Sequence, residues 1–150
     1  MGVISDTHGL LRPEALTALK GSYVIIHAGD IGKPEVLEEL QRIAPVVAVR
    51  GNNDKGPWAE TLPSTKIITV GGVSLYVLHN LKELDLDLAK ANIKAVISGH
   101  SHKPFFQEQH GVMYLNPGSA GPRRFTLPVT VGRIHIHSTG LKPELVDLAL

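Results

Sequence analysis

Three short apolar runs, each ending in polar residues, constrain the fold of this chain most strongly. They cover residues 2–5, 23–26 and 46–49, and helical patterns that open at Pro13 and Pro34 separate them. This alternation predicts parallel strands joined by helical crossovers. The carboxyl ends of such strands share one edge of the sheet, so the polar residues that follow them are expected to lie together.

The rest of the chain changes to a β-rich pattern. Residues 66–70 and 73–78 predict a β-hairpin, and a helical spacing of leucines predicts a third helix over 81–91. Further strands are predicted at 93–97, at 105–109, at 112–115, at 125–131 paired with 133–137 around Gly132, and near 145–148. Roughly ten strands would curl or split a single small sheet, so we expect an α/β fold of two packed sheets, a β-sandwich flanked by helices. The length of 150 residues favours a single domain over 1–150.

Composition narrows the expected partners and surroundings. The net charge is +1 and Arg123-Arg124 is the longest basic run, so no nucleic-acid partner is indicated. The chain has no cysteine, which excludes disulfides and cysteine-ligated metals. No apolar stretch approaches the roughly 20 residues of a membrane span and no signal segment is seen, so a cytoplasmic location is expected. The oligomeric state stays open, while eight histidines direct attention to metal or acid–base chemistry.

Seven residues with metal-ligating side chains follow the predicted strands. They are Asp6, His8, Asp30, Asn52, His79, His100 and His102. Any one of them alone is better explained by a turn residue or a packed histidine, but their common place at strand ends favours one shared site. Oxygen and imidazole donors suit Mn, Fe, Co, Ni or Zn, and seven donors exceed the four that one zinc ion typically takes. The set therefore predicts two metal ions that share a carboxylate.

The charge of such a centre favours a phosphate ligand. Two divalent ions contribute +4 and the carboxylates of Asp6 and Asp30 contribute −2, so a bridging hydroxide leaves about +1. Two metal ions about 3.5–4 Å apart lower the pKa of a shared water and clamp both oxygens of an in-line displacement. The predicted reaction is hydrolysis of a small-molecule phosphoester, with the bridging hydroxide attacking phosphorus in line.

The order of these residues resembles that of a known family. The segments Asp6-x-His8, Gly29-Asp30, Gly51-Asn52-Asn53-Asp54, His79 and Gly99-His100-Ser101-His102 match, in chain order, the five motifs of the calcineurin-like metallophosphoesterases. The surrounding HAGDI, VRGNND and NPGS resemble its small single-domain prokaryotic phosphodiesterase branch. The resemblance implies a β-sandwich flanked by helices and a binuclear site, commonly activated by Mn²⁺, with Zn²⁺, Fe²⁺, Ni²⁺ and Co²⁺ as alternatives.

The resemblance also implies a division of the ligands between the two ions. One ion takes Asp6, His8 and His102, the other takes Asn52, His79 and His100, and Asp30 bridges them. Asp30, Asn52 and His100 are the implied catalytic residues.

Two positions depart from the family pattern. Many members have, after the motif Asn, a His that can protonate the leaving group, and here that residue is Asn53, whose carboxamide cannot act as a general acid. We therefore expect weak activity on alkyl esters and better activity on aryl esters, whose leaving groups need no proton. Asn80 follows His79 where the family often has Gly, so the resemblance does not determine the backbone conformation at this position.

Other polar residues carry weaker indications. Arg123 and Arg124, together with Asn53, are the predicted substrate-binding residues, although a solvated arginine pair is equally compatible with the sequence. Asp54 either orients a ligand residue or stabilises a turn.

Three further histidines are interpreted as structural. His27 could face the pocket or pack within the sheet, and packing within the sheet is the favoured interpretation. His135 and His137 alternate with isoleucines, so they are expected on an exposed strand face.

Two other functions stay open at this point. A phosphomonoesterase or nucleotidase could use the same residues. A non-catalytic protein-interaction scaffold, like the retromer subunit of this fold, is the alternative from another class.

Overall fold

The computed structural model describes residues 1–150 and forms two five-stranded sheets with few helices. The strands are β1 (Gly2–Ile4), β2 (Ile25–His27), β3 (Val46–Ala48), β4 (Thr65–Val70), β5 (Val73–Leu78), β6 (Ile93–Ile97), β7 (Phe105–Gln109), β8 (Val112–Asn116), β9 (Thr130–His137) and β10 (Gly140–Asp147). The helices are α1 (Pro13–Leu19), α2 (Pro34–Gln41) and α3 (Pro57–Glu60), and Leu81–Glu83 forms one 3-10 turn. Each α-helix begins at a proline, whose fixed φ suits the first helical position. None of the helices combines the length and the hydrophobicity that a membrane span requires.

The two sheets pack face to face, which confirms the predicted α/β sandwich. The first sheet has the order β10-β9-β1-β2-β3, and the second has the order β4-β5-β6-β8-β7. β1, β2 and β3 run parallel, with Val3 opposite Ile26 and His27 opposite Ala48. β5, β6 and β8 are also parallel, and antiparallel hairpin partners form the edges of the second sheet.

One apolar core lies between the sheets, and another lies between the first sheet and its helices. Side chains alternate along each strand, so Val3 faces the second sheet and shares a core with Ile97 of β6. Ile4 points the other way and shares the helical core with Leu19 of α1 and Leu40 of α2. Both faces of the first sheet are therefore buried, which explains why its parallel strands are continuously apolar.

The predicted helix over 81–91 is wrong. Only Leu81–Glu83 forms a 3-10 turn, and the chain then runs irregularly to β6. The leucines of this segment still pack against the outer face of the second sheet, but as an irregular cover. Asp87 accepts a hydrogen bond from the Lys90 amide at 3.1 Å, and this local bond stabilises a turn in competition with a helix.

The prediction for the last hairpin is also wrong. Gly132 lies inside β9, and the turn falls at residues 138–139 before β10. A Cβ on Gly132 would lie 3.3 Å from the Pro117 Cβ, so this glycine marks a close approach of two segments instead of a chain reversal. β10 consequently begins at Gly140, upstream of the predicted 145–148.

The loops that follow β1, β2, β3, β5 and β6 come together at one rim of the sandwich. Backbone hydrogen bonds join the first two loops beyond the strand ends. The Asp6 amide donates to the Gly29 carbonyl at 3.0 Å, and the His8 amide donates to the Asp30 carbonyl at 2.9 Å. The sheet therefore extends into the loops that carry the polar residues.

Candidate metal centre

All seven side chains predicted as metal ligands lie at this rim. Asp6 and His8 follow β1, Asp30 follows β2, Asn52 follows β3, His79 follows β5, and His100 and His102 follow β6. Most of the group is buried or half-buried, whereas Asn52 and His100 are exposed. The group is therefore closed towards the core and open to solvent on the side of Asn52 and His100.

Asp6, His8 and His102 form one cluster of potential ligand atoms. Asp6 Oδ1 lies 3.4 Å from His102 Nε2 and 3.9 Å from His8 Nε2. The two imidazole Nε2 atoms are 3.4 Å apart. One carboxylate oxygen and two imidazole nitrogens thus converge, which suits a divalent transition metal.

Asp30 and His79 join Asp6 in a second, overlapping cluster. His79 Nε2 lies 3.3 Å from Asp30 Oδ2 and 3.9 Å from Asp6 Oδ1. The His100 ring meets the His79 ring edge-on with centroids 5.2 Å apart, and His100 Nδ1 lies 3.2 Å from Asn52 Oδ1. The imidazoles therefore divide into two pairs, in the same way as the resemblance divides the histidines, whereas Asp6 is common to both clusters.

Asp30 belongs to the second cluster and also faces His8 of the first. Its Oδ2 is 3.8 Å from His8 Nε2 on one side and 3.3 Å from His79 Nε2 on the other. A carboxylate in this position can reach two ions at once, as a bridging ligand must.

Five of the seven residues hold left-handed backbone conformations. The φ angles are 55° at Asp6, 47° at His8, 55° at Asp30, 71° at His100 and 64° at His102. Asp and His enter this region more readily than most residues, but each instance costs on the order of 1–3 kcal/mol and persists only where the surrounding structure fixes it. The rest of the fold therefore holds these loops in the conformation that makes the side chains converge.

Hydrogen bonds hold Asp6 so that one oxygen stays available. Asp6 Oδ2 accepts from the Ser5 hydroxyl at 2.6 Å and from the His100 amide at 3.1 Å. Its Oδ1 points into the clusters. Ser5 was not predicted as a site residue, since a serine at a strand end has no distinctive spacing.

The end of β8 and the loop after it stabilise the loops that carry the centre. The buried Asn116 donates to the Gly99 carbonyl at 2.9 Å, which fixes the loop of His100 and His102. Ser119 donates to the Asp6 carbonyl at 3.0 Å. Both belong to the NPGS segment that resembles the family, so the signal was present in the sequence, but their role was not predicted.

Two glycines allow the loops to approach one another. A Cβ on Gly29, where φ is +102°, would lie 2.7 Å from His79 Nδ1. A Cβ on Gly99 would overlap the Ser5 hydroxyl and lie 2.6 Å from Asp6 Oδ2. Side chains at these positions would displace the ligand residues, so glycine is required for the packing of the rim.

The charges of the clusters shift pKa values from their usual range. Burial opposes ionisation of Asp30, yet the adjacent His79 and the Asn53 amide lower its pKa to about 2. Burial also opposes ionisation of Asp6, but the neighbouring His102 and the Ser5 hydroxyl hold its pKa below the usual value. Burial disfavours the protonated form of His79, but the neighbouring carboxylates of Asp30 and Asp6 favour it more strongly. The net effect raises the pKa of His79. A metal ion entering the centre thus meets two carboxylates, and protons compete with it for His79 more strongly than for an ordinary histidine.

Buried atoms without hydrogen-bond partners fit a metal at this place. Asp6 Oδ1 and His79 Nε2 are both buried and unpartnered, although most buried polar atoms have a partner. His79 Nδ1 lies 2.8 Å from the Ala28 carbonyl, which orients the ring with Nε2 towards the carboxylates. Oxygen and imidazole donors without thiolate suit divalent ions of the Mn-to-Zn series.

The two departures from the family pattern have clear structural roles. Asn53 Nδ2 donates to Asp30 Oδ2 at 3.1 Å, and the Asn53 amide donates to Asp30 Oδ1 at 2.9 Å. Asn53 thus holds the central carboxylate. Asn80 Oδ1 accepts from the Lys82 amide at 3.1 Å and caps the 3-10 turn, while His79 keeps its place in the cluster.

Two buried residues tie the loops together beneath the rim. His27 packs within the sheet as predicted, and burial lowers its pKa to about 4. Asp54 accepts from the amides of Gly32 and Gly51, each at 2.9 Å. It makes no hydrogen bond to Asn52 or to a histidine, so its role is the stabilisation of loops.

The structure does not bring the predicted arginines to the clusters. Arg123 donates to the Leu127 carbonyl at 3.1 Å and to the Leu150 carbonyl, and no hydrogen bond or ion pair joins Arg124 to the site. Substrate binding by either arginine stays a prediction. His135 and His137 lie on an exposed face of β9, as predicted, with ring centroids 6.3 Å apart.

A cavity of about 370 Å³ adjoins the exposed side of the centre. Its walls include Asn52, His79 and His100, together with Arg50 and Glu83. Arg50 is therefore a basic residue beside the ligands, and sequence reasoning missed it because its only signal is its place before Gly51-Asn52. A substrate bound at the centre can extend into this cavity.

Comparisons with known proteins identify the family of this chain. Residues 1–139 match the model of the calcineurin-like phosphoesterase superfamily domain. A probable metallophosphoesterase of Methanothermobacter thermautotrophicus is 35% identical over 97% of this chain and 91% of its own length. A phosphodiesterase of Methanocaldococcus jannaschii is 28% identical over 79% of this chain and 82% of its own. The crystal structure of Chaetomium thermophilum Vps29 has a TM-score of 0.73 at 22% identity and covers 97% of this chain and 95% of that chain. The present chain belongs to the calcineurin-like phosphoesterase superfamily.

Proposed function

We propose that this metallophosphoesterase is a phosphodiesterase that uses two divalent metal ions, with Mn²⁺ as the expected activator. The observation that carries the proposal is the pair of overlapping clusters, in which Asp30 faces His8 on one side and His79 on the other. When bound, two such ions would supply the activation of a water for in-line attack on phosphorus. The name of the Methanocaldococcus relative supports the choice of a diester substrate.

The side chains of the rim would hold the ions and keep the centre attractive to phosphate. Asp6, His8 and His102 are proposed for one ion, Asn52, His79 and His100 for the other, and Asp30 for both. Two carboxylates cannot neutralise two divalent ions, so the loaded centre keeps a positive charge for the phosphoryl oxygens. The hydrogen bonds from Ser5 and Asn53 would keep both carboxylates in place during turnover.

The side chain of Asn53 determines which leaving groups we expect the site to favour. Its carboxamide is bonded to Asp30, and it has no proton to transfer to a departing alkoxide. Aryl leaving groups depart as stable anions, so we expect aryl diesters to react faster than alkyl diesters.

Hydrolysis of bis(4-nitrophenyl) phosphate by the Mn²⁺-loaded protein tests the proposal. Activity should be abolished by chelation, and Asp30→Asn should reduce it by at least 100-fold because one carboxylate faces both clusters. Glu108→Gln is the matched control, since it removes one negative charge from the exposed strand β7. Absence of hydrolysis of any phosphodiester, or full activity of Asp30→Asn, would contradict the proposal.

The same assay separates the two alternative functions. A phosphomonoesterase would hydrolyse 4-nitrophenyl phosphate faster than the diester. A non-catalytic scaffold would bind Mn²⁺ weakly and hydrolyse neither compound.

A further inference from the structure

His27 is a buried residue that the proposed reaction does not use. It ends β2 directly beneath the rim, and its side chain has no exposed surface. Its Nδ1 lies 3.1 Å from the Gly29 amide nitrogen, and its Nε2 lies 3.0 Å from the Thr7 hydroxyl oxygen. Because a backbone amide can only donate, Nδ1 is the acceptor and the ring proton of the neutral imidazole lies on Nε2.

The Thr7 hydroxyl completes a chain of hydrogen bonds. It accepts from His27 Nε2 and donates to the Ile31 carbonyl at 2.9 Å. The direction of every bond is fixed, because the chain begins at a backbone amide and ends at a backbone carbonyl. A single imidazole therefore connects three residues from the loops after β1 and β2.

These three residues are the immediate neighbours of three candidate ligands. Thr7 lies between Asp6 and His8, and the other two residues flank Asp30. All three ligands have left-handed φ angles between 47° and 55°. The directions of their side chains depend on how the adjacent peptides are held, since the free chain would not keep this conformation.

We propose that His27 is a positioning residue of the metal centre, which holds the two loops in the geometry that the ions require. This inference rests on the proposed metal-dependent function. Loss of the imidazole would leave the Gly29 amide and the Thr7 hydroxyl without their buried partner, and the loops would rearrange to pair them again. A histidine that only fills the core would affect the stability of the fold without a specific effect on metal binding.

The test measures binding of Mn²⁺ alone by isothermal titration calorimetry, beside unfolding in urea. His27→Leu removes both hydrogen bonds, whereas His27→Gln keeps an amide that can donate to the Thr7 hydroxyl. Leu40→Ala is the matched control, because Leu40 is a fully buried residue of α2 in the helical core. His27→Leu should bind Mn²⁺ 10–100-fold more weakly, as supporting residues of metal sites do when replaced. His27→Gln should recover part of the affinity, and Leu40→Ala should bind within about twofold of the parent.

Two outcomes would overturn the role of His27. One is an unchanged Mn²⁺ affinity in His27→Leu, and the other is an equal loss in Leu40→Ala. If His27→Leu does not fold, Thr7→Val removes only the central hydroxyl and should still weaken Mn²⁺ binding about tenfold. A parent protein that binds Mn²⁺ without hydrolysing diesters would refute the proposed reaction, and the comparison of affinities would still decide the role of His27.

Discussion

Replacement of Gly29 by alanine should weaken both the fold and the metal centre. At its φ of +102°, an alanine costs about 1–2 kcal/mol in backbone strain. The new Cβ would also lie 2.7 Å from His79 Nδ1 and 2.9 Å from the Gly51 amide nitrogen. Overpacking of this kind costs about 1–3 kcal/mol more. It would also push His79 away from the Ala28 carbonyl that orients the ring.

Gly21→Ala is the matched control for this substitution. Gly21 has a φ of +85°, and nothing lies within 4 Å of an added Cβ, so only the backbone strain is shared. Urea titrations should show a loss of unfolding free energy that is about 1–3 kcal/mol larger for Gly29→Ala. Calorimetric titration should show 10–100-fold weaker Mn²⁺ binding for Gly29→Ala alone. Equal destabilisation by both substitutions with unchanged Mn²⁺ affinity would refute this account of the rim.

Three other residues of the rim have measurable roles. The unfolded chain protonates His27 near pH 6.5, whereas burial keeps it neutral in the folded protein down to about pH 4. The unfolding free energy should therefore fall by up to about 3 kcal/mol as the pH drops through this window. The His27→Gln variant should lose this pH dependence, and a pH dependence of the unfolding free energy equal to that of the parent would contradict the account. The pKa of His79 is raised by its carboxylate neighbours against the effect of burial, so protons compete with Mn²⁺ for this imidazole. Mn²⁺ affinity should therefore rise with pH. Calorimetric heats of Mn²⁺ binding that do not depend on the ionisation enthalpy of the buffer would exclude proton release on binding and contradict this prediction. Asn53→His should raise alkyl diester hydrolysis about tenfold or more relative to aryl diesters, and a constant ratio would show that no general acid is missing.

The strands and their shared rim were predictable because strong local sequence signals mark where the strands begin and end. The turn at Gly71-Gly72 places the start of β5, and β6 is an apolar run closed by Ser98-Gly99. Parallel strands of this kind bring their carboxyl ends to one edge. The gathering of the seven polar residues follows from that rule alone.

The segment after β5 shows where a local pattern fails. Its leucines have a spacing that suits a helix, but alternate leucines and aspartates also suit an irregular cover on a sheet. The irregular conformation is favoured by the hydrogen bond from the Lys90 amide to Asp87 and by packing of the leucines on the apolar face of the second sheet. Neither the sheet face nor the turn is visible in a helical periodicity.

The supporting residues of the centre could not be predicted from spacing. Asn53 holds Asp30, and Asn116 holds the histidine loop. Arg50 reaches the cavity beside the ligands, whereas Arg123 turns to backbone carbonyls elsewhere. Each of these roles depends on which loops become neighbours after folding, and a chain order does not contain that information.

The number and positions of bound ions test the two-metal centre most directly. Crystals grown with Mn²⁺ and measured at its absorption edge should show two anomalous peaks. One is expected beside Asp6, His8 and His102, and the other beside Asn52, His79 and His100, with Asp30 between them. His102→Ala should remove the first peak and His100→Ala the second. A single peak shared by both groups of ligands, lost equally in the two variants, would contradict the account.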